Sequence, residues 1–203
     1  SFDNIILIGI IRKGNGREIK EKARAKLIFQ AAFQDNMKIK FVDGHKIRMT
    51  RDTDFGVVGS NEISPYVPKG EMWIDKAYKK ESEWFIEMRM LELKLWKKMK
   101  YSEARKIICK KFRQKAEGKL ELTIKTEEKE GFMIRHVKGA VVRRHLDPKF
   151  LLGGHGYVYD YIPKNEVWID DAQDKREMKY SLIHELYEAK LMKKGMDYNS
   201  AHD

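Results

Sequence analysis

The sequence predicts an α+β protein made of two tandem pseudo-symmetric copies, each a small antiparallel sheet plus a helix pair. Residues 37–75 align without a gap with residues 132–170, and 14 of the 39 aligned pairs are identical. An ungapped match of this length indicates an internal duplication. Within each copy, short alternating stretches predict strands, and the longer stretches that follow predict helices.

Three regions follow from this alignment. Residues 1–36 contain a predicted strand, in the apolar run Ile5–Ile11, and a predicted helix at about 17–34. Residues 37–118, the first segment, form copy one, and residues 119–203, the second segment, form copy two. Since no linker rich in Pro, Ser or Gly separates the two segments, we expect them to pack together with pseudo-twofold symmetry.

Corresponding elements are predicted in the same order in both segments. An alternating strand is followed by a turn at Gly44 or Gly139, and a later strand ends in Trp-Ile-Asp. The aspartate of this motif stands near the start of a helix, where it can accept free N–H groups. The predicted elements are strands at 37–42, 120–125 and 132–137, strands ending at Asp75 and Asp170, first helices at about 79–98 and 174–194, and second helices from Tyr101 to about Gly118 and from Tyr198.

The charge balance favours an acidic partner. The chain has 42 Lys and Arg residues against 31 Asp and Glu residues, which gives a net charge of +11. Nucleic acid is the first partner that such a balance suggests, followed by an anionic membrane or an acidic protein, and the alternative is a Lys-rich surface without such a partner. The predicted nucleic-acid contacts are Lys97, Lys98, Arg105, Lys110, Lys111, Arg113, Arg143 and Arg144.

Cysteine usage and hydropathy restrict the compartment. Cys109 is the only cysteine, which excludes an intramolecular disulfide and a Cys-rich zinc site and favours a reducing compartment. The longest apolar run is far shorter than the about 20 residues that span a bilayer, and no basic segment precedes it. We therefore expect a cytoplasmic or virion-associated protein without a signal peptide or a membrane span.

The stretch "HELYEAKLMKKGMDYNSAH" near the end of the chain contains the residues of a metal site. His184 and Glu188 are four residues apart on a predicted helix, so they lie on one face. Gly195 would let the chain reverse, which would return His202 to the same place. Two imidazoles and a carboxylate with an open position form a catalytic zinc set. Glu185, about 100° around the helix, could activate a metal-bound water.

The alignment of the two segments adds an argument about proximity. The first segment has Glu87 and Arg105 where the second has His184 and His202. Because a glutamate and an arginine form a natural ion pair, we expect these two positions to be close in both segments. The alternative to a metal site is a His-Glu-His hydrogen-bond cluster that fastens the helices together.

The residues "HELYE" resemble the motif of the zincin metallopeptidases, whose helix carries His-Glu-x-x-His and whose third ligand follows on a later segment. The resemblance covers about nineteen residues and implies that His184 is the first ligand and Glu185 the general base. Glu188 stands in the place of the second histidine, and His202 would restore a set of two imidazoles and one carboxylate. The ending is also similar to that of uncharacterised phage and prokaryotic proteins.

The sequence therefore predicts a zinc-dependent hydrolase, with a peptide as the substrate. His155, Gly154 and Tyr157 in the stretch "GGHGYVYDY" are the candidate substrate-binding residues, because glycines let a substrate approach the backbone closely. The alternative for this stretch is a Gly-rich bulge with an exposed histidine. The alternative function is a non-enzymatic basic protein that binds nucleic acid or forms part of an assembly such as a virion.

Overall fold

The computed structural model describes residues 37–202, an α+β chain with two small mixed sheets and several helices. The strand and helix predicted within residues 1–36 lie outside the described residues. Within residues 37–202, no helix is both long enough and apolar enough to cross a membrane.

The first segment forms a three-stranded sheet followed by helices. β3 lies in the middle of this sheet, parallel to β1 and antiparallel to β2. In chain order the elements are β1 (Lys38–Val42), α1 (Gly44–Thr50), β2 (Val58–Ser60), β3 (Glu71–Asp75), a 3₁₀ helix (Lys76–Glu81), α2 (Ser82–Trp96) and α3 (Tyr101–Phe112).

The second segment forms a four-stranded sheet in the order β4-β5-β7-β6. β7 is parallel to β5 and antiparallel to the edge strand β6, and β4 pairs antiparallel with β5. In chain order the elements are β4 (Thr123–Lys129), β5 (Phe132–Val137), α4 (Gly139–His145), β6 (Gly153–His155), β7 (Glu166–Asp170), α5 (Lys175–Lys193) and α6 (Tyr198–His202).

The prediction of antiparallel sheets was wrong, because each sheet contains one parallel pair. The chain leaves β1, passes through α1 and β2, and only then returns as β3, so it makes the crossover that a parallel pair requires. The same path leads from β5 through α4 and β6 to β7. Lys38 pairs with Glu71, and Met133 with Glu166, so aligned residues occupy the same register positions in the two sheets.

Gly44 and Gly139 begin short helices, and the turns predicted there are absent from the described chain. A Cβ atom at Gly44 would lie 2.0 Å from Oδ2 of Asp75, and one at Gly139 would lie 2.0 Å from Oδ1 of Asp170. Only glycine lets the helix backbone come this close to the aspartate that ends the central strand. Each aspartate also accepts a hydrogen bond of 3.0 Å from the backbone N–H two residues later.

The long helices follow the sequence prediction with shifted ends. The helix predicted from about residue 79 starts as a 3₁₀ helix, capped by Asp75, and continues as α2. α5 has the predicted length, and the N-cap residue Asp174 accepts a 2.9 Å hydrogen bond from the N–H of Arg176. α3 ends at Phe112, before the predicted Gly118, and the strand predicted at 120–125 lies three residues later as β4.

α5 is fixed to the second sheet through β7, which is buried along its whole length. Val167 and Ile169 pack in one cluster with Leu186 of α5. Trp168, whose side chain points to the opposite face, packs in a separate cluster with Phe150. The helix that carries the candidate site therefore lies against the buried central strand.

Two buried arginines connect the segments. Arg48 and Arg143 each contact the aspartate that ends the central strand of their own sheet. Each also contacts a glutamate of the other segment: Arg48 lies 3.1 Å from Glu177, and Arg143 lies 2.6 Å from Glu81. The contacts between the segments are thus reciprocal.

Candidate metal centre

The helix pair α5–α6 brings the predicted ligands together. α5 carries His184 and Glu188 one turn apart, and α6 carries His202. Gly195, with a φ of +97°, follows α5 and lets the chain reverse. The rings of His184 and His202 then lie 4.9 Å apart between centroids at an angle of 89°. This confirms the predicted proximity of the two histidines.

The carboxylate of Glu188 lies at the centre of three imidazoles. Nδ1 of His202 is 2.8 Å from Oε2, and Nε2 of His184 is 3.3 Å from the same oxygen. Nε2 of His155 is 2.9 Å from Oε1. Glu188 is only 3% exposed, whereas His184 and His202 are exposed. One carboxylate oxygen therefore has a partner in the interior, and the other contacts the two exposed rings.

These contacts control the charge of Glu188. Burial disfavours the ionised form, but the hydrogen bonds with His155, His184 and His202 outweigh it and hold the pKa of Glu188 well below its usual range. The hydrogen bond with Glu188 in turn raises the pKa of His184. The carboxylate is therefore ionised at neutral pH, which is the form that binds a cation.

His155 orients Glu188 from the interior. It is fully buried on β6, and its Nδ1 accepts a 3.3 Å hydrogen bond from the backbone N–H of Tyr157. An imidazole that accepts at Nδ1 carries its proton on Nε2, and this proton is then donated to Oε1 of Glu188. Carboxylates that bind metals are typically held by such an additional hydrogen bond.

Burial excludes two of the three predicted substrate-binding residues. His155 is 0% exposed. Gly154 is also buried, and a Cβ atom there would lie 2.5 Å from Cε2 of Tyr159, so the glycine accommodates this ring. Tyr157 is half-buried, with Nζ of Lys164 5.0 Å from its ring centroid. The glycines of this stretch therefore serve the packing of the protein, and the assignment of His155 and Gly154 to substrate binding was wrong.

Sequence reasoning missed His155 as a partner of Glu188, although the alignment contained a signal. In the alignment of the two segments, His155 corresponds to Ser60 and Glu188 corresponds to Leu91. Both differences are specific to the second segment, and the structure places both residues in one cluster. Residues that differ together between aligned segments could have been grouped on that basis.

Glu185 lies beside the cluster and points toward β6. A Cβ atom at Gly153 would lie 2.9 Å from Cγ of Glu185, so the missing side chain of the glycine makes room for the glutamate. Burial of the carboxyl group raises the pKa of Glu185 to about 8, against the opposing effect of His184.

A cleft of about 430 Å³ opens beside His184, Glu185 and His202. Its walls come from both segments, because the loop after α1 faces α5 across it. His184, Glu185 and His202 all line the cleft. A substrate in the cleft would therefore meet the two exposed imidazoles and the carboxyl group of Glu185.

The possible ligand atoms of the cluster lie close to one another. The ligand atoms of His184, Glu188 and His202 all lie within 4.8 Å of one another. Zinc–ligand bonds of about 2.0–2.2 Å place tetrahedral neighbours roughly 3.3–3.6 Å apart. The separation of 3.3 Å between Nε2 of His184 and Oε2 of Glu188 lies in this range, whereas the 2.8 Å between Nδ1 of His202 and Oε2 is a hydrogen-bond distance that would lengthen around a metal.

The predicted nucleic-acid contacts divide into three groups. Arg143 is fully buried and bonded to acidic residues, so its assignment to this surface was wrong. Two residues of the second group form ion pairs: Arg105 lies 2.9 Å from Asp147, and Lys111 lies 3.7 Å from Glu87. The others are exposed, namely Lys97, Lys98, Lys110, Arg113 and Arg144.

The resemblance to the zincins depends on the motif alone. Comparison of the chain with known proteins finds no matching family model, curated protein or solved structure. The argument for a function therefore depends on the geometry of this site.

Proposed function

We propose that His184, Glu188 and His202 bind a zinc-type divalent metal and that the second segment is a metal-dependent hydrolase with a peptide as its substrate. The observation that carries this proposal is a buried, ionised carboxylate that contacts two exposed imidazoles beside a cleft. These three groups would hold the metal and would leave a position open for water or substrate.

The chain supplies distinct roles around the metal. A zinc ion held there would supply a bound water with a pKa of about 7 and a Lewis acid for a carbonyl group. Glu185 is the proposed proton acceptor, because it follows His184 in α5 and lines the same cleft. Its pKa of about 8 in the metal-free protein would fall beside a bound cation, which favours the ionised carboxylate that can accept a proton. His155 keeps Glu188 in position from the interior through the hydrogen bond to Oε1.

The rival interpretation uses the same contacts without a metal. A cluster of one carboxylate and three imidazoles could fasten α5, α6 and β6 to one another. Two features favour the metal. Both rings that contact Oε2 of Glu188 are exposed and line a cleft, and their ligand atoms converge within 4.8 Å. A purely structural cluster needs neither the cleft nor the exposure.

We also propose that the two segments are duplicated copies with pseudo-twofold symmetry. α1, β2 and β3 recur 95 residues later as α4, β6 and β7. Arg48 and Arg143 support the symmetry, because each bonds to the carbonyl of an aligned phenylalanine and to a glutamate of the other segment. In this account the first segment is a supporting copy, since Leu91 and Arg105 replace Glu188 and His202.

Glu185→Gln tests the reaction separately from metal binding. The variant keeps all three ligands, so zinc content should be unchanged, while cleavage of a mixed peptide library by the zinc-loaded protein should fall by about 10²–10⁴-fold. Glu188→Gln should lose zinc and cleavage together. Glu83→Gln, an exposed change on α2, is the control and should change neither. Zinc-loaded protein that cleaves no peptide, or full activity in Glu185→Gln, contradicts the hydrolase proposal.

A further inference from the structure

A concave basic surface lies between α3 and the end of α4, with a volume of about 730 Å³. None of the residues that line it is acidic, and four of them are lysines or arginines. This surface, the basic groove, is lined by Lys106, Cys109, Lys110, Arg113, Gln114, Lys115, Ala116 and His145. We propose that the basic groove binds the phosphate backbone of a single-stranded nucleic acid.

The cations of the groove form a row. Lys106, Lys110 and Arg113 follow one another at helical spacings of four and three residues, so they share one side of α3. Four residues of helix rise about 6 Å, which spaces the charges regularly along the axis. Beyond Arg113, where the backbone becomes extended, Lys115 continues the row. A row of separate cations fits a chain of phosphates better than a single small anion.

The shape of the groove is fixed by backbone contacts. The N–H of Gln114 donates a 2.6 Å hydrogen bond to the carbonyl oxygen of Arg144. Nδ1 of His145 lies 3.2 Å from the carbonyl oxygen of Gln114. The segment that follows α3 is therefore fastened to the end of α4, and the two walls keep their separation without a ligand.

The cations of the groove are available to a partner. Among the described residues 37–202, Lys106, Lys110, Arg113 and Lys115 form no ion pair. Other cations of α3 have acidic neighbours, as Arg105 has in Asp147. Four cations without an acidic partner therefore line one concave surface, where their charges can act together on an anion.

A neighbouring groove adds aromatic rings beside the basic groove, which favours a single strand. It has a volume of about 580 Å³ and shares Cys109, Arg113 and His145 with the basic groove. It adds the rings of Tyr159 and Tyr161 and the carboxylates of Asp147 and Asp160. The two tyrosine rings are partly exposed, pack against the core of the second segment and lie 5.3 Å apart between centroids. Aromatic rings beside a row of cations are typical of single-strand sites, where bases stack while phosphates pair with Lys and Arg. A duplex or a flat membrane surface would not present free bases to these rings.

The basic groove is separate from the candidate metal centre. No residue that lines it also lines the cleft beside His184. Nucleic-acid binding and metal-dependent hydrolysis therefore stand or fall independently.

Fluorescence anisotropy with labelled single-stranded DNA and RNA of about 20 nucleotides tests the proposal on the full chain. A groove variant with three Gln substitutions removes three phosphate contacts. Because each contact to a single strand contributes about 0.7 to the slope of log K against log salt, the slope should decrease by about 2. The weakening should be similar for all oligonucleotide sequences. The groove variant carries Lys106→Gln, Lys110→Gln and Arg113→Gln.

A control variant removes the same net charge from exposed positions elsewhere and should leave the slope nearly unchanged. Its substitutions are Lys69→Gln, Lys80→Gln and Lys179→Gln. Lys115→Gln, which lies outside α3, gives a second measurement and should lower the slope by about 0.7. Equal losses in the groove and control variants would overturn the proposal. Tighter binding to a duplex, or to vesicles of phosphatidylcholine and phosphatidylglycerol, would overturn it as well.

Discussion

At the residue scale, the two oxygens of Glu188 have different environments. Oε1 accepts from the buried ring of His155, while Oε2 contacts the exposed rings of His184 and His202. The interior contact sets the orientation of the carboxylate, and the other contacts place its second oxygen beside two exposed rings. A ligand held in this way needs little rearrangement when a metal binds.

His155→Leu should weaken zinc affinity by about 10–100-fold, because it removes the hydrogen bond that orients Glu188. It also leaves Oε1 without its donor, so the free energy of unfolding should fall by about 1–3 kcal/mol. Competition with a chromophoric chelator measures the affinity. His155→Gln is the matched control, since its amide can still donate, and it should recover most of the zinc affinity. Equal affinities in the Leu variant and the wild type would show that His155 does not position the ligand.

Gly139→Ala should destabilise the protein by about 3 kcal/mol. The new Cβ atom would lie 2.0 Å from Oδ1 of Asp170 and would displace the carboxylate from the buried Arg143. Gly56→Ala is the control, because its Cβ atom would lie 3.5 Å from Leu151, an ordinary contact. Urea unfolding compares the two variants. Equal stability of both would contradict the explanation of Gly139 by close approach.

At the element scale, the contacts of His184 and His202 with Glu188 connect α5 and α6, and their contribution to stability depends on pH. The pKa of His184 is raised by its hydrogen bond with Glu188, so its contribution to stability is complete below the unfolded pKa of 6.5. That contribution is lost as the pH rises through the folded pKa. Glu188 has the opposite sign: its lowered pKa contributes stability above 4.5, which is lost as the pH falls through the folded pKa.

Bound zinc should stabilise the protein more at alkaline pH, which is the reverse of the pH dependence expected from His184 alone. Metal binding releases protons from imidazoles, so the rise in Tm caused by zinc should be larger at about pH 8 than at about pH 6. Differential scanning fluorimetry with and without zinc measures this difference. The metal-free protein should show the opposite change from His184, with some stability lost as the pH rises. A zinc-induced rise in Tm that is the same at both pH values would argue against histidine ligands.

The elements show which parts of the structure the sequence could predict. Strand and helix positions were predictable because local periodicity determines them, as in Phe132–Val137. The parallel pairing of β5 with β7 was not, because it depends on the path of the chain through α4 and β6. The sequence alone suggests a turn at Gly139. The glycine is required by its close approach to Asp170, which is 31 residues away in sequence and visible only in the fold. The contact of His155 with Glu188 is likewise visible only in the fold, so the sequence alone suggested a role in substrate binding.

At the scale of the whole molecule, the charged contacts between the segments include those of two buried arginines. Arg143 is 0% exposed and contacts Glu81 of the first segment, while Arg48 contacts Glu177 of the second. Buried arginines stay paired because an unpaired charge in the interior is strongly unfavourable. The cleft beside the candidate metal centre has walls from both segments, so its shape depends on these contacts.

Glu81→Gln should lower the free energy of unfolding by about 3 kcal/mol, because it leaves part of the charge of Arg143 without a partner. The exposed neighbour Glu83→Gln should change it by less than about 0.5 kcal/mol. Chemical denaturation followed by tryptophan fluorescence and by circular dichroism should give one shared transition, since the segments depend on each other. Two separate transitions in the wild type would contradict this account of the interface.

The central claim is that His184, Glu188 and His202 bind one divalent metal ion. Zinc content of the purified full chain, measured by mass spectrometry after loading and removal of excess metal, tests it most directly. The account predicts one zinc per chain in the wild type and none held at this site in the double variant His184→Ala/His202→Ala. Wild-type protein without stoichiometric zinc after loading, or a double variant that binds as much zinc as the wild type, would contradict the claim.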